Sequence, residues 1–420
     1  MVAHGIQPTR KHDRIDLLDI LRGFALLGIL VVNMAIFSFP FLALFTSTPR
    51  GEGFVDHVSE MLILALATGK FYPLFSFLFG LGLWMQIERV EAAGGRPGRF
   101  MVRRLMILLG LGLMHALLIW NGDILFIYAL AGLVALLFRR LQPRTLLIWV
   151  AVLFGLPVVL GLGFLALGLL LGGSTAGASG ETDQFMAMIS DLEQRAIAIY
   201  GSGSWGDIFV WRALEWIAAM AIYFFSGNVL QILAFFLIGM YVGKQRLAQH
   251  LYEQPAAQRR LPFGGMCLAI GLVANLALAW LVRYGNLDNI LLGLLQQGLL
   301  IAAPILTYGY VAMMIALTRS DTWRRWLQPL AAAGRMALSS YIAQSIICTF
   351  IFYSYGLGLF GQVGAFNGLL LSLVIWIVQL GLSVVWLRFF QYGPLEWVWR
   401  SLTYGAPQRM TPRPQQSSVV

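Results

Sequence analysis

The chain has 420 residues, of which 59% are hydrophobic and only 11% charged, a balance that excludes an ordinary soluble globular domain, where about a quarter of the residues are charged. Thirteen tryptophans and 45 glycines fit a polytopic membrane protein, because aromatics gather at the two interfaces and glycine is tolerated within spans. The net charge of +10 does not point to nucleic acid, since the basic residues are scattered over short loops, and the two cysteines, Cys267 and Cys348, lie in apolar runs with neither a disulfide nor a metal-ligand spacing.

Crossing the hydrocarbon core takes about 20 apolar residues. Ten segments qualify in chain order: 17–40, 57–87, 101–120, 123–139, 145–172, 228–243, 262–282, 289–317, 336–356 and 367–387. They predict an all-α fold, a polytopic transmembrane helical bundle of about ten spans. The first segment is too long for a cleaved signal peptide and has no small-residue cleavage site. In the second, Gly69 and Pro73 of TGKFYPLFSFLFGLG predict a local break, which a membrane tolerates where backbone lines a cavity. The stretch 208–227, IFVWRALEWIAAMAIYFFSG, is apolar but carries Arg212 and Glu215 near its start. It reads as an interfacial or re-entrant helix, with an extra span as the alternative. Residues 1–405 read as one helical domain with an acidic external loop at about 173–227, and the Pro-, Gln- and Ser-rich tail 406–420 reads as disordered.

Orientation follows from the asymmetry of Lys and Arg between short loops. Arg10, Lys11 and Arg14 precede the first segment; Arg89, Arg96, Arg99, Arg103 and Arg104 lie between the second and third; Arg139, Arg140 and Arg144 follow the fourth. Lys244, Arg246, Arg259 and Arg260 follow the sixth, and Arg319, Arg324 and Arg325 the eighth. The intervening loops hold only Arg50, Arg195, Arg212 and Arg283. The alternation predicts that both termini are cytoplasmic.

Ionisable groups inside a bilayer are expensive and usually face the bundle interior. Asp19, Arg22 and Asn33 fall in the first segment. Arg22 and Asn33 are eleven residues apart, about three helical turns, so they share a face, with Asn33 about 16 Å further out. His115 comes late in the third segment and Asp123 just after the turn at Asn121 and Gly122, which brings both to the outer side. Asp123 suits a helix cap and His115 suits packing against a carbonyl. Together they also form the carboxylate-oriented imidazole that a general base needs. Lys70, in the middle of the second segment, reads as the partner of a buried carboxylate or as part of a polar path. Gln344 reads as an interhelical hydrogen bond. Gly80, Gly82, Gly110 and Gly112 read as close-packing positions. There is no nucleophile elbow, HExxH pair or phosphate-binding loop, and no metal is expected.

Five blocks carry a resemblance. DLLDILRGFALLGILVVN, KFYPLFSFLFGLG, MHALLIWNGDILFIYALAGL, GRMALSSYIAQSIICTFIFY and QYGPLEWVWRSLTYG, in this order over nearly the whole chain, resemble the YeiB family of bacterial inner-membrane proteins. More distantly, the first span is similar to that of the heparan-α-glucosaminide N-acetyltransferases and of bacterial membrane acyltransferases that O-acetylate surface glycans. Those enzymes share an Arg-Gly pair followed eleven positions after the Arg by a polar residue, here Arg22, Gly23 and Asn33. Leu44 stands at the spacing where the heparan enzymes place their catalytic histidine, so that residue is not carried over.

The resemblance implies a multi-pass protein of the bacterial inner membrane and a transmembrane acyltransferase. Acetyl-CoA or another acyl-CoA on the cytoplasmic side would be the co-substrate, and an external or lipid-linked glycan the acceptor. In that reading Arg22, Arg103 and Arg104 meet the CoA phosphates, Asn33 donates to the developing oxyanion, His115 is the general base and Asp123 orients it. Membrane lipids, but no nucleic acid, are expected partners. A homodimer is expected from the same resemblance and from the uncharged late spans. The alternative is a transporter or lipid-handling protein in which Arg22, Lys70, His115 and Asp123 line a polar path.

Overall fold

The computed structural model describes residues 16–43, 50–51, 53–170, 179–247, 261–285 and 289–411. Leu44, the start of the external loop at 171–178 and the tail beyond 411 lie outside them. Among the described residues the chain is helical, without a strand. In order the helices are α1 (Asp16–Ser38), α2 (Phe54–Leu66), α3 (Phe71–Ala92), α4 (Pro97–Leu118), α5 (Leu125–Ala135, continued by a 3-10 turn at Leu136–Arg140), α6 (Pro143–Leu170), α7 (Ser179–Ser202) and α8 (Trp205–Phe225). There follow α9 (Asn228–Lys244), α10 (Leu261–Tyr284), α11 (Asn289–Thr318), α12 (Asp321–Trp326), α13 (Gln328–Arg335), α14 (Ala337–Phe352), α15 (Ala365–Phe389) and α16 (Pro394–Tyr404).

Among the described residues eight helical stretches are long and apolar enough to cross a membrane, with α2 and α3 counted together as one, or nine if the bent pair α13–α14 is one span. Three segments of the sequence reading form helices shorter than the about 20 residues a span takes: α5 has 11 residues, α9 has 17 and α14 has 16. The chain is a polytopic helical bundle. α1 is its axis, packed against α3, α11, α13, α14 and α15, with Ile20, Leu21, Ala25, Leu26 and Leu30 almost wholly buried. A second core joins α3, α4, α5 and α9 around Phe236, Leu237 and Tyr128.

Backbone approaches set this packing. A Cβ on Gly23 would strike the Leu330 carbonyl, and one on Gly334 the Asp19 carbonyl, so the Arg-Gly pair of α1 includes the residue that lets α13 lie directly against it. Gly80 meets the Phe236 carbonyl in the same way, whereas Gly110 has nothing within 4 Å and is not a packing residue.

The break expected near Gly69 separates α2 from α3, with Gly69 at φ 80°. Its loosened backbone is satisfied from the side. Lys70 Nζ donates to the Leu64 carbonyl at 2.8 Å, Tyr310 Oη to the Leu66 carbonyl at 3.0 Å, and Thr307 Oγ1 to the Lys70 carbonyl at 3.0 Å. Among the described residues Lys70 therefore pairs with no carboxylate: its side chain caps the carbonyl end of α2, where a cation is favoured. Gln344 makes the expected interhelical bond, donating to Gln379 of α15 at 2.9 Å.

Contacts sort the loops into the two ends that the charge pattern separates. At one end Arg50 and Arg283 share Glu60, Gly361 donates to the Ser38 carbonyl and Ser354 to the Tyr200 carbonyl. At the other, Arg246 pairs with Glu88 and Lys244 reaches the carbonyls of Arg139 and Leu141. Below, the first is the outer end and the second the inner. α8 is long and apolar enough to cross. However, Arg212 contacts Leu117 and Tyr353, Glu215 contacts Asn121, and Trp216 contacts Phe126, all at the outer ends of α4 and α5 or in the outer loop. These contacts, from residues 212–216 in the first part of α8, hold that part at the outer end.

Candidate functional site

The outer site is built by the turn between α4 and α5. Ile119 and Trp120 both donate their amides to the His115 carbonyl, closing α4, and the Trp120 indole stacks on Phe37 of α1 at 4.0 Å. A Cβ on Gly112 would strike the Phe126 amide nitrogen, so α4 and α5 approach closely just where the turn ends. This places Asp123 beside His115. Nδ1 of His115 lies 2.8 Å from Oδ1 of Asp123, and Oδ2 of Asp123 accepts the Phe126 amide at 2.7 Å. Both side chains are essentially inaccessible. Cap and orienter, which the sequence left as rival roles, are two oxygens of one carboxylate. An ionised carboxylate only accepts, so it fixes the proton on Nδ1 and leaves Nε2 with its lone pair. Nε2 is buried and has no hydrogen-bond partner among the described residues.

Around this dyad the Tyr341 ring lies 5.2 Å from the imidazole, centre to centre, and its hydroxyl donates to the Gly122 carbonyl at 3.3 Å. On the rim side, Glu215 accepts from Asn121 at 2.7 Å, Tyr200 at 2.6 Å and Trp211 at 3.1 Å. This fastens α7 and α8 over the turn.

The inner site is a cavity of about 200 Å³ walled by α1, α3, α4, α5, α13, α14 and α16. α1 presents Asp19, Arg22, Leu26 and Ile29 to it, one continuous helical face. Arg22 pairs with Asp19 at 2.8 Å. Arg104 lies 3.6 Å over the Trp399 ring, and Trp399 returns an indole hydrogen bond to the Arg104 carbonyl at 2.9 Å. Glu396 closes the inner end of α14, accepting the amides of Leu338 and Ser339 at 2.6 and 3.1 Å and the Ser339 hydroxyl at 2.5 Å. Burial pushes the Glu396 carboxyl up, against the pull of these donors.

Of the residues that the sequence pointed to, Asp19, Arg22 and Arg104 line this cavity. Arg103 does not: it is exposed. Arg335 and Arg400 complete the cationic wall instead, and sequence reasoning missed both, together with Glu396 and Trp399. The only available signal was the alternation of charged and aromatic residues in PLEWVWR after the last span. His115 and Asp123 are not in the lining; Tyr341 and Ile124, which are, stand between. Asn33 is half-buried, four residues beyond Ile29 on the same face, and no hydrogen bond joins it to His115 or Asp123 among the described residues. No group of three or more metal-ligating side chains occurs among the described residues.

Comparison with known proteins agrees with the architecture. Residues 242–406 match the family described as "Protein of unknown function (DUF418)". The chain is 37% identical to the Uncharacterized protein YxaH of Bacillus subtilis, over 95% of this chain and 96% of that one. It is 31% identical to the Uncharacterized protein YeiB of Escherichia coli, over 93% of this chain and 96% of that one. Near-complete coverage in both directions, at these identities and on a bundle of this kind, means that the chain belongs to the YeiB-like family of polytopic helical membrane proteins.

Proposed function

We propose that this protein is a transmembrane acyltransferase of the bacterial inner membrane, taking an acyl group from a cytoplasmic acyl-CoA and passing it to a hydroxyl or amine of an external or lipid-linked glycan. The observation that carries the reading is the His115–Asp123 dyad, with Nε2 unpartnered, behind the outer end of a cavity whose inner end gathers arginines. In this mechanism Nε2 takes the proton of the acceptor hydroxyl as its oxygen attacks the thioester carbonyl. The carbon–sulfur bond then breaks, the thiolate leaves, and the proton held on His115 passes to it. Asp123 stabilises the transient imidazolium. Asn33, on the cavity face of α1, donates an amide hydrogen to the oxyanion. Arg22 and Arg104 bind phosphate groups of the donor.

One observation favours the lipid-handling reading. The cavity and the dyad are separated by the Tyr341 ring, so acyl transfer requires that ring to swing aside. The two readings part in one measurement: incubation of the purified protein with acyl-CoA and a lipid-linked glycan acceptor. Release of free CoA with acylated acceptor, lost in His115→Ala, is the expected outcome. No thiol release under any acceptor, with the protein folded, overturns the acyltransferase.

A further inference from the structure

At the inner end the segment RSDTWRRW, residues 319–326, joins α11 to α13 and contains α12. Thr318, the last residue of α11, is buried, and its hydroxyl donates to the Met314 carbonyl at 3.0 Å. From 319 to 326 every residue is then exposed. Two of these are tryptophans, Trp323 at 53% and Trp326 at 77% exposure. An indole left outside a protein core is at home where a membrane meets water, with its ring in apolar matter and its N–H wet.

Helix geometry sorts the segment. At about 100° per residue, Trp323 and Trp326 stand about 60° apart on one face of α12. Arg324 and Arg325 fall on the two flanks, each about 130° from the middle of that face, and Asp321 lies opposite, at about 170°. Laid flat with its tryptophans in the edge of the hydrocarbon, the helix brings both arginines to the lipid headgroups and keeps its carboxylate toward water.

The cations of this segment are not used within the protein. Among the described residues, Arg319, Arg324 and Arg325 have neither an ion pair nor a side-chain hydrogen bond. By contrast, Arg246 has Glu88, and Lys244 has the carbonyls of Arg139 and Leu141. Three arginines against one aspartate give the segment a charge of +2.

Its place in the chain ties it to the bundle axis. Leu327 is the cap of both α12 and α13, with no linker between them. α13 lies directly on α1 through Gly23 and Gly334. The chain then bends by 84° into α14, which carries Tyr341. A hold on α12 at the membrane surface is therefore a hold on the start of this bent pair.

We propose that residues 319–326 form a docking site for the headgroups of anionic phospholipids in the inner leaflet. The tryptophans seat α12 in the interface, the three arginines gather the negative headgroups, and the bound lipid steadies α13 against α1. The inference is independent of acyl transfer.

The test begins with native mass spectrometry of the purified full-length protein in detergent, with phosphatidylglycerol or phosphatidylcholine as the probe. Phosphatidylglycerol should bind more tightly. Arg324→Gln and Arg325→Gln should each weaken it about fivefold, while Arg324→Lys and Arg325→Lys should not, because the attraction is to charge. If a glutamine variant does not fold, salt decides: the affinity of the parent protein must fall as ionic strength rises. Equal binding of the two lipids, an affinity blind to salt, or one unmoved by both glutamine variants overturns the site. Competition by inorganic phosphate at the concentration of the lipid overturns the lipid as its occupant. Phosphatidylglycerol should also raise the unfolding temperature of the parent and not of the protein carrying both glutamines; equal gains overturn the hold on α13. In nanodiscs of the two lipids, a fluorophore on Trp326→Cys should be shielded from an aqueous quencher and one on Asp321→Cys open to it. Equal quenching at the two positions overturns the interfacial seat.

Discussion

Asp123 divides its carboxylate between two helices: Oδ1 lies 2.8 Å from Nδ1 of His115 in α4, and Oδ2 receives the Phe126 amide of α5 at 2.7 Å. The division makes the two roles separable by substitution. In Asp123→Asn the amide oxygen still accepts the Phe126 amide, since asparagine caps as well as aspartate. The amide nitrogen then faces His115 and donates to Nδ1, which moves the imidazole proton to Nε2 and removes the base. The variant should unfold within a few degrees of the parent and lose about 10²-fold or more in acyl transfer. Full activity would show that the dyad serves folding only.

Lys70 should behave as a structural residue. Lys70→Met deletes the donor to the Leu64 carbonyl at a buried helix break and should cost about 1–3 kcal/mol, read as a lower unfolding temperature. Ligand affinity at the cavity should not change. Loss of function at unchanged stability would instead place Lys70 on a transport path.

Two glycines one half-turn apart in α4 should respond oppositely. Gly112→Ala drives a Cβ into the Phe126 backbone, should cost about 1–3 kcal/mol, and should loosen the His115–Asp123 contact with it. Gly110→Ala meets nothing within 4 Å and should gain up to about 1 kcal/mol from helix propensity. Thermal unfolding of the two variants side by side decides it; equal effects would contradict the helix approach described.

Burial raises the Glu396 carboxyl above its unfolded value. A group raised in this way contributes stability that is full below its unfolded pKa, about 4.3, and is lost as pH climbs through the folded value. The protein should therefore lose stability relative to Glu396→Gln on going from pH 4 upward. Parallel melting curves for the two proteins across that range would contradict it.

Cysteine labelling in a background free of Cys267 and Cys348 tests the orientation. Positions Ala93 and Gln362 are both exposed and lie at opposite ends. An impermeant maleimide added to intact cells should label position 362 and reach position 93 only after permeabilisation. Trp205 and Phe225, at the two ends of α8 and both exposed, should label together from outside; labelling of only one would make α8 a span.

The sequence by itself determined what depends on local pattern. Hydropathy over windows of 20 residues located most of the apolar helices, but not α7, which lies in what reads as an external loop. Loop charge sorted their ends into the two groups that meet in the fold. A turn of few residues between His115 and Asp123 was enough to pair them. The inner cavity was decided only by tertiary structure, because its arginines come from α1, α4, α13 and α16, and nothing local requires positions as far apart as 22 and 400 to converge. Neighbouring Arg103 and Arg104 differ by one step of about 100° around the helix. Only the placement of Trp399 decides that Arg104 faces inward while Arg103 is exposed. Lys70 was misread for the same reason: its partner is a carbonyl freed by a helix break, and a backbone group carries no mark in a sequence. The 21 residues of α8 satisfy the composition of a span, and only the tertiary structure shows that Arg212 and Glu215 find their partners at the outer end of α4 and in the turn after it.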